Sequence, residues 1–261
     1  QNTPFDIWVQ GTYQKFDDNR NQFSSNGHFS LFYLGADYVV NRSLLVGVLV
    51  QMDSMEQGSS AQGFSIKGIG WMAGPYATVR LSQNIFFQTR AAIGTSRNDI
   101  SPFLTYSDSF ETVRRLASAS LTGTWSWHGF QVRPTATLTY IEDESETYTD
   151  RSGTVIPGVR VGLGQLKAGP RISYRYDMPN GTIIEPRVTL DAIWNFASFA
   201  HAADFGGTLT GPEELRGRIE LGVRTQFRNG MALDLAGSYD GIGAANFSAI
   251  GGMAIVRVPF N

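Results

Sequence analysis

The sequence predicts an all-β protein: a transmembrane antiparallel up-and-down β-barrel of 12 strands. Three observations predict this fold class, namely long segments of alternating polarity, short turns that alternate with long loops, and aromatic residues at strand ends. The segment FQVRPTATLTYIE, residues 130–142, has a Val, Pro, Ala, Leu, Tyr face and a Gln, Arg, Thr face. A period of two residues is that of a β-strand with one apolar and one polar face.

The composition narrows the class of protein. Charged residues make up 17% of the 261 residues, against about 25% in soluble domains. The net charge of −2 gives no basic surface for nucleic acid, and the absence of Cys excludes disulfides and thiolate metal sites. The longest apolar run covers residues 44–52, far short of the roughly 20 residues of a membrane helix.

Twelve strand-like segments divide the chain, and most are longer than the roughly 5–6 residues of an average strand. A strand that crosses a bilayer at a tilt needs roughly 9–11 residues, so these lengths favour a membrane barrel. The predicted spans are 5–17, 28–40, 44–53, 64–80, 85–96, 110–127, 130–142, 157–177, 182–196, 214–228, 231–239 and 246–260.

The connections alternate in length. Short turns follow the even strands, among them NRS, LSQN, HG, MPNG and NG, and Gly and Asn supply the left-handed residues that hairpin turns need. Longer polar loops follow most odd strands, as in RNDISPFLTYSDS and EDESETYTDRSGT. Short periplasmic turns and long outer loops are typical of outer-membrane barrels, and a soluble sandwich has no reason to keep this rule.

Aromatic residues concentrate near both ends of the strands, which predicts two girdles at the two membrane interfaces. The preference of aromatics for strands explains their number but not this placement. Near the short turns lie Tyr38, Phe87, Trp127, Phe130, Tyr174 and Phe227, and near the long loops lie Tyr13, Tyr140, Trp194, Tyr239 and Phe247.

The polar faces predict a charged lumen. Some of its charges are expected to pair, but the cations assigned to it outnumber the carboxylates, which predicts a preference for anions. The predicted pore-lining residues are Arg90, Arg133, Lys167, Arg171, Arg175, Glu185, Arg187, Asp191, Arg216, Arg218, Glu220 and Arg224.

Enzymatic motifs are missing from the sequence. It has no G-x-S-x-G elbow, H-E-x-x-H, P-loop or Rossmann fingerprint. His28, His128 and His201 are scattered at or in connections, and the acidic segment 142–150 lacks the spacing of an EF-hand. The sequence therefore predicts no catalytic residue, no metal, no cofactor and no enzyme.

Three segments resemble the translocator, or β-domain, of autotransporters of type V secretion: residues 32–51, 70–103 and 251–260. The resemblance runs from about Trp8 to Phe260. It implies one outer-membrane translocator domain over residues 1–261, which anchors and exports an N-terminal passenger. The implied partners are outer-membrane lipid, the protein's own passenger and the barrel-assembly machinery, with no nucleic acid and a monomeric state.

The family also sets expectations for the two ends of the chain. Its members carry a helix before the first strand, and only QNTP precedes Phe5 here, so we expect the passenger and most of that helix to be absent. Phe260 corresponds to the family's terminal aromatic residue, an assembly signal, although Asn261 follows it. Two alternatives stay open: a stand-alone narrow solute channel and an outer-membrane hydrolase.

Overall fold

The computed structural model describes residues 5–19, 24–59, 63–101, 107–151, 153–202, 208–210 and 214–259. Within those ranges no helix is long and apolar enough to cross a membrane. The described residues form twelve long strands: β1 (Phe5–Asp18), β2 (Ser25–Asn41), β3 (Leu44–Ser59), β4 (Phe64–Arg80), β5 (Ile85–Ser101), β6 (Asp108–Gly123), β7 (Phe130–Ser145), β8 (Val159–Tyr174), β9 (Ile183–Ala202), β10 (Glu214–Gln226), β11 (Ala232–Ile242) and β12 (Phe247–Pro259).

The strands close into a barrel. Each pairs antiparallel with the next along the chain, and β12 pairs with β1, where Ile7 faces Val258 and Lys15 faces Ile250. Closure pairs both edges of the described sheet, which is what a bilayer demands of a strand structure. The predicted fold class, an antiparallel barrel of twelve strands, is confirmed.

The wall is apolar outside and polar inside. On the outer surface Val48, Ile69 and Leu221 are 63%, 71% and 60% exposed, whereas Gln51 and Arg187 on the inner surface are 5% and 7% exposed. Because successive side chains of a strand point to opposite faces, one parity on each strand builds each surface. This is the reverse of a soluble protein, in which the apolar face is the buried one.

The short turns have the expected backbone chemistry. His128 and Gly129 between β6 and β7 have φ values of 47° and 84°, and Gly230 between β10 and β11 has a φ of 85°. Left-handed residues at these positions match the twist of the flanking strands, which fixes the register of each hairpin.

Several strands run further toward the long loops than the sequence predicted. Strand β3 ends at Ser59 instead of residue 53, β5 at Ser101 instead of 96, and β9 at Ala202 instead of 196. Main-chain pairing continues there without an apolar face, so the hydrophobic pattern ends before the hydrogen-bond ladder does. Short strands Tyr148–Thr149 and Val155–Ile156 pair with each other, and Thr208–Thr210 pairs with β9.

The aromatic girdles are outward as predicted, with one exception. Tyr38, Trp127 and Tyr239 are 49%, 72% and 41% exposed on the outer surface. Phe247 was assigned to the outer girdle, and that assignment is wrong. Its ring lies 5.1 Å from the Arg216 guanidinium inside the barrel. On β12 the even-numbered residues, such as Ile250, point outward, and the odd-numbered ones, such as Phe247, point inward.

Candidate functional site: the barrel lumen

A group of arginines shares one carboxylate on the inner surface of β8–β10. Glu220 lies 3.5 Å from both Arg187 and Arg218 and 3.7 Å from Arg171. Arg187 also pairs with Asp234. Its guanidinium crosses over Gly222, where a Cβ would stand too close to it. Because residue 222 is glycine, the Arg187 side chain can cross β10 and reach Asp234 on β11.

Two further cations near the short-turn end have no ion pair among the described residues. Arg133 opposes Arg171 across β7 and β8, and Arg224 opposes Glu185 across β9 and β10. Glu185 accepts a 3.3 Å hydrogen bond from Ser173. Arg133 and Arg171 are like charges in directly opposed positions and repel each other, whereas Arg224 is opposed by a carboxylate.

The Arg114 bridge, formed by Arg114, Asp53 and Asp143, crosses the inner surface near the long-loop end. Arg114 Nη1 lies 2.6 Å from both carboxylate oxygens of Asp53 on β3, and its Nε lies 2.9 Å from Asp143 on β7. The side chains of Arg114 and Asp53 are only 11% and 6% exposed. The bridge passes over Gly70, where a Cβ would lie 2.6 Å from the guanidinium.

The remaining predicted lumen residues lie in separate places. Arg216 pairs with Asp240 at 2.8 Å and Glu214 at 3.5 Å near the long loops. Asp191 opposes Arg218 in the register of β9 and β10. Arg175 pairs with Asp177 at 2.8 Å beyond the end of β8, where both side chains are more than half exposed.

On the opposite wall, Trp8, Tyr76 and Asp37 form a chain of hydrogen bonds, the aromatic relay. Trp8 Nε1 donates to the Tyr76 hydroxyl at 2.9 Å, and that hydroxyl donates to Asp37 at 2.9 Å. The two rings lie over Gly35 and Gly47, where any Cβ would overlap them. The flat rings therefore pack against bare backbone, and their polar ends are satisfied.

The mid-lumen cavity, about 440 Å³ in volume, lies between this relay and β5–β8. Arg90 and Lys167 line it on β5 and β8. Between them are two hydroxyl pairs, Ser118 with Thr139 at 3.3 Å and Ser120 with Thr137 at 2.9 Å. The cavity is therefore polar along one arc and aromatic along the other.

The sequence profile described as Autotransporter beta-domain matches residues 7–240. The chain belongs to this family. As an autotransporter β-domain with a closed twelve-stranded barrel, it is an outer-membrane translocator and resides in the bacterial outer membrane. No match was found among curated proteins.

Solved structures of autotransporter barrels share the fold. The β-domain of the Bordetella autotransporter BrkA superposes with a TM-score of 0.74 at 16% identity, covering 98% of this chain and 100% of that one. The transport unit of AIDA-I from Escherichia coli gives 0.77 at 17%, covering 97% and 90%. The translocator domain of NalP from Neisseria meningitidis gives 0.78 at 12%, covering 98% and 89%.

Sequence reasoning missed several charged residues inside this autotransporter barrel. Arg114 has the same parity as Ser118 and Ser120 on its strand, so the alternation of polarity could have found it. Asp53 stood at the predicted end of its strand, and Asp143 and Asp240 stood beyond theirs. The carboxylates of Asp53, Asp143 and Asp240 pair with Arg114 and Arg216, and they reduce the basic excess that the sequence-based set contained.

The histidines of the autotransporter barrel do not converge. His28 is on the outer surface, with its ring 6.0 Å from that of Tyr13. His128 lies in the turn before β7, and His201 opposes Arg160 near the end of β9. In the part of the chain that the structure describes, no group of three or more His, Asp or Glu residues could hold a metal ion.

Proposed function

We propose that this barrel anchors an N-terminal passenger domain and exports it to the cell surface. The observation that carries the proposal is the polar lumen enclosed by a continuous wall, with a cavity of about 440 Å³ at mid-height. A polypeptide in transit needs such a path, because lipid cannot satisfy its main-chain groups. The proposal assigns no catalytic residue, metal or cofactor to the barrel.

A reporter fused before Gln1, behind a secretion signal, tests the export. We expect added protease to digest the reporter on intact cells, and we expect Ser120→Trp to protect it. Ser120 lines the cavity, whereas the neighbouring Ala119 opposes the outward Leu138. Ala119→Trp is therefore the matched control and should export normally.

Both variants must first fold in the outer membrane. The heat-modifiable migration of the barrel in gels of membrane fractions checks this. A reporter that stays protected behind a folded parent barrel would contradict the proposal. So would equal export by the Ser120→Trp and Ala119→Trp barrels, since a path outside the lumen would then carry the passenger.

The proposed partners are outer-membrane lipid around a monomeric barrel, the attached passenger, and the barrel-assembly machinery. The proposed assembly signal, Phe260, lies outside the described residues. We expect deletion of Phe260 and Asn261 to lower the amount of folded barrel, and deletion of Asn261 alone to leave it unchanged. Heat-modifiability of membrane fractions measures this, and equal amounts from both deletions would exclude a role for Phe260.

A narrow outer-membrane solute channel is the second candidate function. It is favoured by Arg90 and Lys167, which face the cavity without an ion pair among the described residues. Ion conductance of the purified barrel in planar bilayers, together with a failed export assay, would favour the channel over the translocator.

A further inference from the structure

We propose that the mid-lumen cavity is a binding site for oxyanions of the phosphate and carboxylate type. Arg90, Lys167 and the two hydroxyl pairs on β6 and β7 form the site. The inference rests on the geometry of the lumen and does not depend on export.

The cations of the site are unpaired. Arg90 lies 5.8 Å from the Tyr33 ring centroid, and it forms no ion pair with any described carboxylate. The same holds for Lys167 in the part of the chain that is described. Arg257 also lines the cavity, but it lies 3.4 Å from Asp6 and 3.6 Å from Asp37. The cavity therefore holds two cations whose charge no described carboxylate compensates by an ion pair, and a partly desolvated cation is stabilised by a counter-charge.

The hydroxyl pairs supply additional donors. In each of the two pairs, one hydroxyl donates to the other, and the second hydroxyl keeps its own proton. Each pair therefore leaves one O–H free to donate to a ligand. Two free O–H donors between two cations suit an anion that accepts several hydrogen bonds, as the oxygens of phosphate and carboxylate do.

Asp37 is engaged by other partners. It accepts a hydrogen bond from the Tyr76 hydroxyl at 2.9 Å and lies 3.6 Å from Arg257, and it forms no ion pair with Arg90 or Lys167 among the described residues. The volume of about 440 Å³ falls within the roughly 300–1,000 Å³ of small-molecule sites. It accommodates a hydrated phosphate or the carboxylate of a polypeptide inside the lumen.

Calorimetric titration of the purified, folded barrel at low ionic strength tests the site. The probes are inorganic phosphate and, in a separate arm, a short polyglutamate peptide. We expect phosphate to bind, and Arg90→Gln and Lys167→Gln each to weaken its binding at least tenfold. Arg175→Gln is the matched control, because Arg175 is paired with Asp177 outside the cavity, and it should bind phosphate like the parent.

The two arms distinguish a free oxyanion from a carboxylate carried by a polypeptide. Binding of the peptide but not of phosphate, with the same loss in both variants, supports the site with a polypeptide as its ligand. Failure of both probes to bind, or equal binding by the parent and both variants, overturns the proposal. Since no passenger takes part, a negative result here is independent of the export assay.

Discussion

The Arg114→Met barrel is expected to lose about 3–5 kcal/mol of free energy of unfolding, the range for breaking a buried ion pair from one side. Asp53 would lose its cationic partner with only 6% of its side chain exposed, and Asp143 would lose a 2.9 Å partner. The loss arises because water inside the lumen reaches Asp53 poorly and replaces the guanidinium only in part.

The adjacent residue provides the control for this prediction. Arg115 is on the outer surface, where it lies 3.0 Å from both Glu142 and Glu144 and is 48% exposed. Exposed pairs contribute little to stability, so Arg115→Met should destabilise the barrel far less. Urea titrations in lipid vesicles give both values. Equal losses for the two neighbours would mean that the Arg114 bridge does not stabilise the barrel.

Arginine at Leu221 is expected to destabilise the barrel by about 2–4 kcal/mol, the range for a cation on the lipid face at the bilayer midplane. Leu221 is 60% exposed on the outer surface, in the middle of β10. Leu190 on β9 is 48% exposed on the same surface and should behave alike. Lipid cannot solvate the guanidinium, and the residues that oppose Leu221 on the neighbouring strands, Val188 and Gly237, carry no charge.

Arginine at Thr122 or Thr137 is the comparison, because both hydroxyls are in inward pairs with Thr135 and Ser120. The lumen admits water, so these substitutions should cost much less. Unfolding titrations in vesicles rank the four variants. If the threonine variants lost more free energy of unfolding than the leucine variants, the assignment of the outer surface to lipid and of the inner surface to the lumen would be wrong.

The strands and their apolar and polar faces could be predicted from the sequence, because both follow from the local alternation of polar and apolar residues. The start of β4 at residue 64 and its end at residue 80 were predicted without error. Partners across the lumen were not predictable, because they depend on register summed over several strands. Arg114 and Asp53 belong to strands separated by β4 and β5, and nothing in either local pattern pairs them.

Two other failures have a local cause. Phe247 is an aromatic residue at a strand end, like the girdle residues, and only its parity within β12 places it under Arg216. The outer ends of β3, β5 and β9 were truncated because hydropathy was used to end strands that main-chain hydrogen bonds continue. The first error comes from using position along the strand without parity, and the second from treating the apolar face as the whole strand.

The pairing of β1 with β12 has a consequence for biogenesis. Bringing together ends about 250 residues apart costs about 3 kcal/mol more than closing a ten-residue hairpin, at about 0.6 kcal/mol for each doubling of the loop. The chain cannot complete its wall until its last strand has been synthesised, and until then it presents two open edges and an apolar face. Such intermediates aggregate readily. This molecule is therefore most exposed to aggregation in the interval between its synthesis and the closure of its wall.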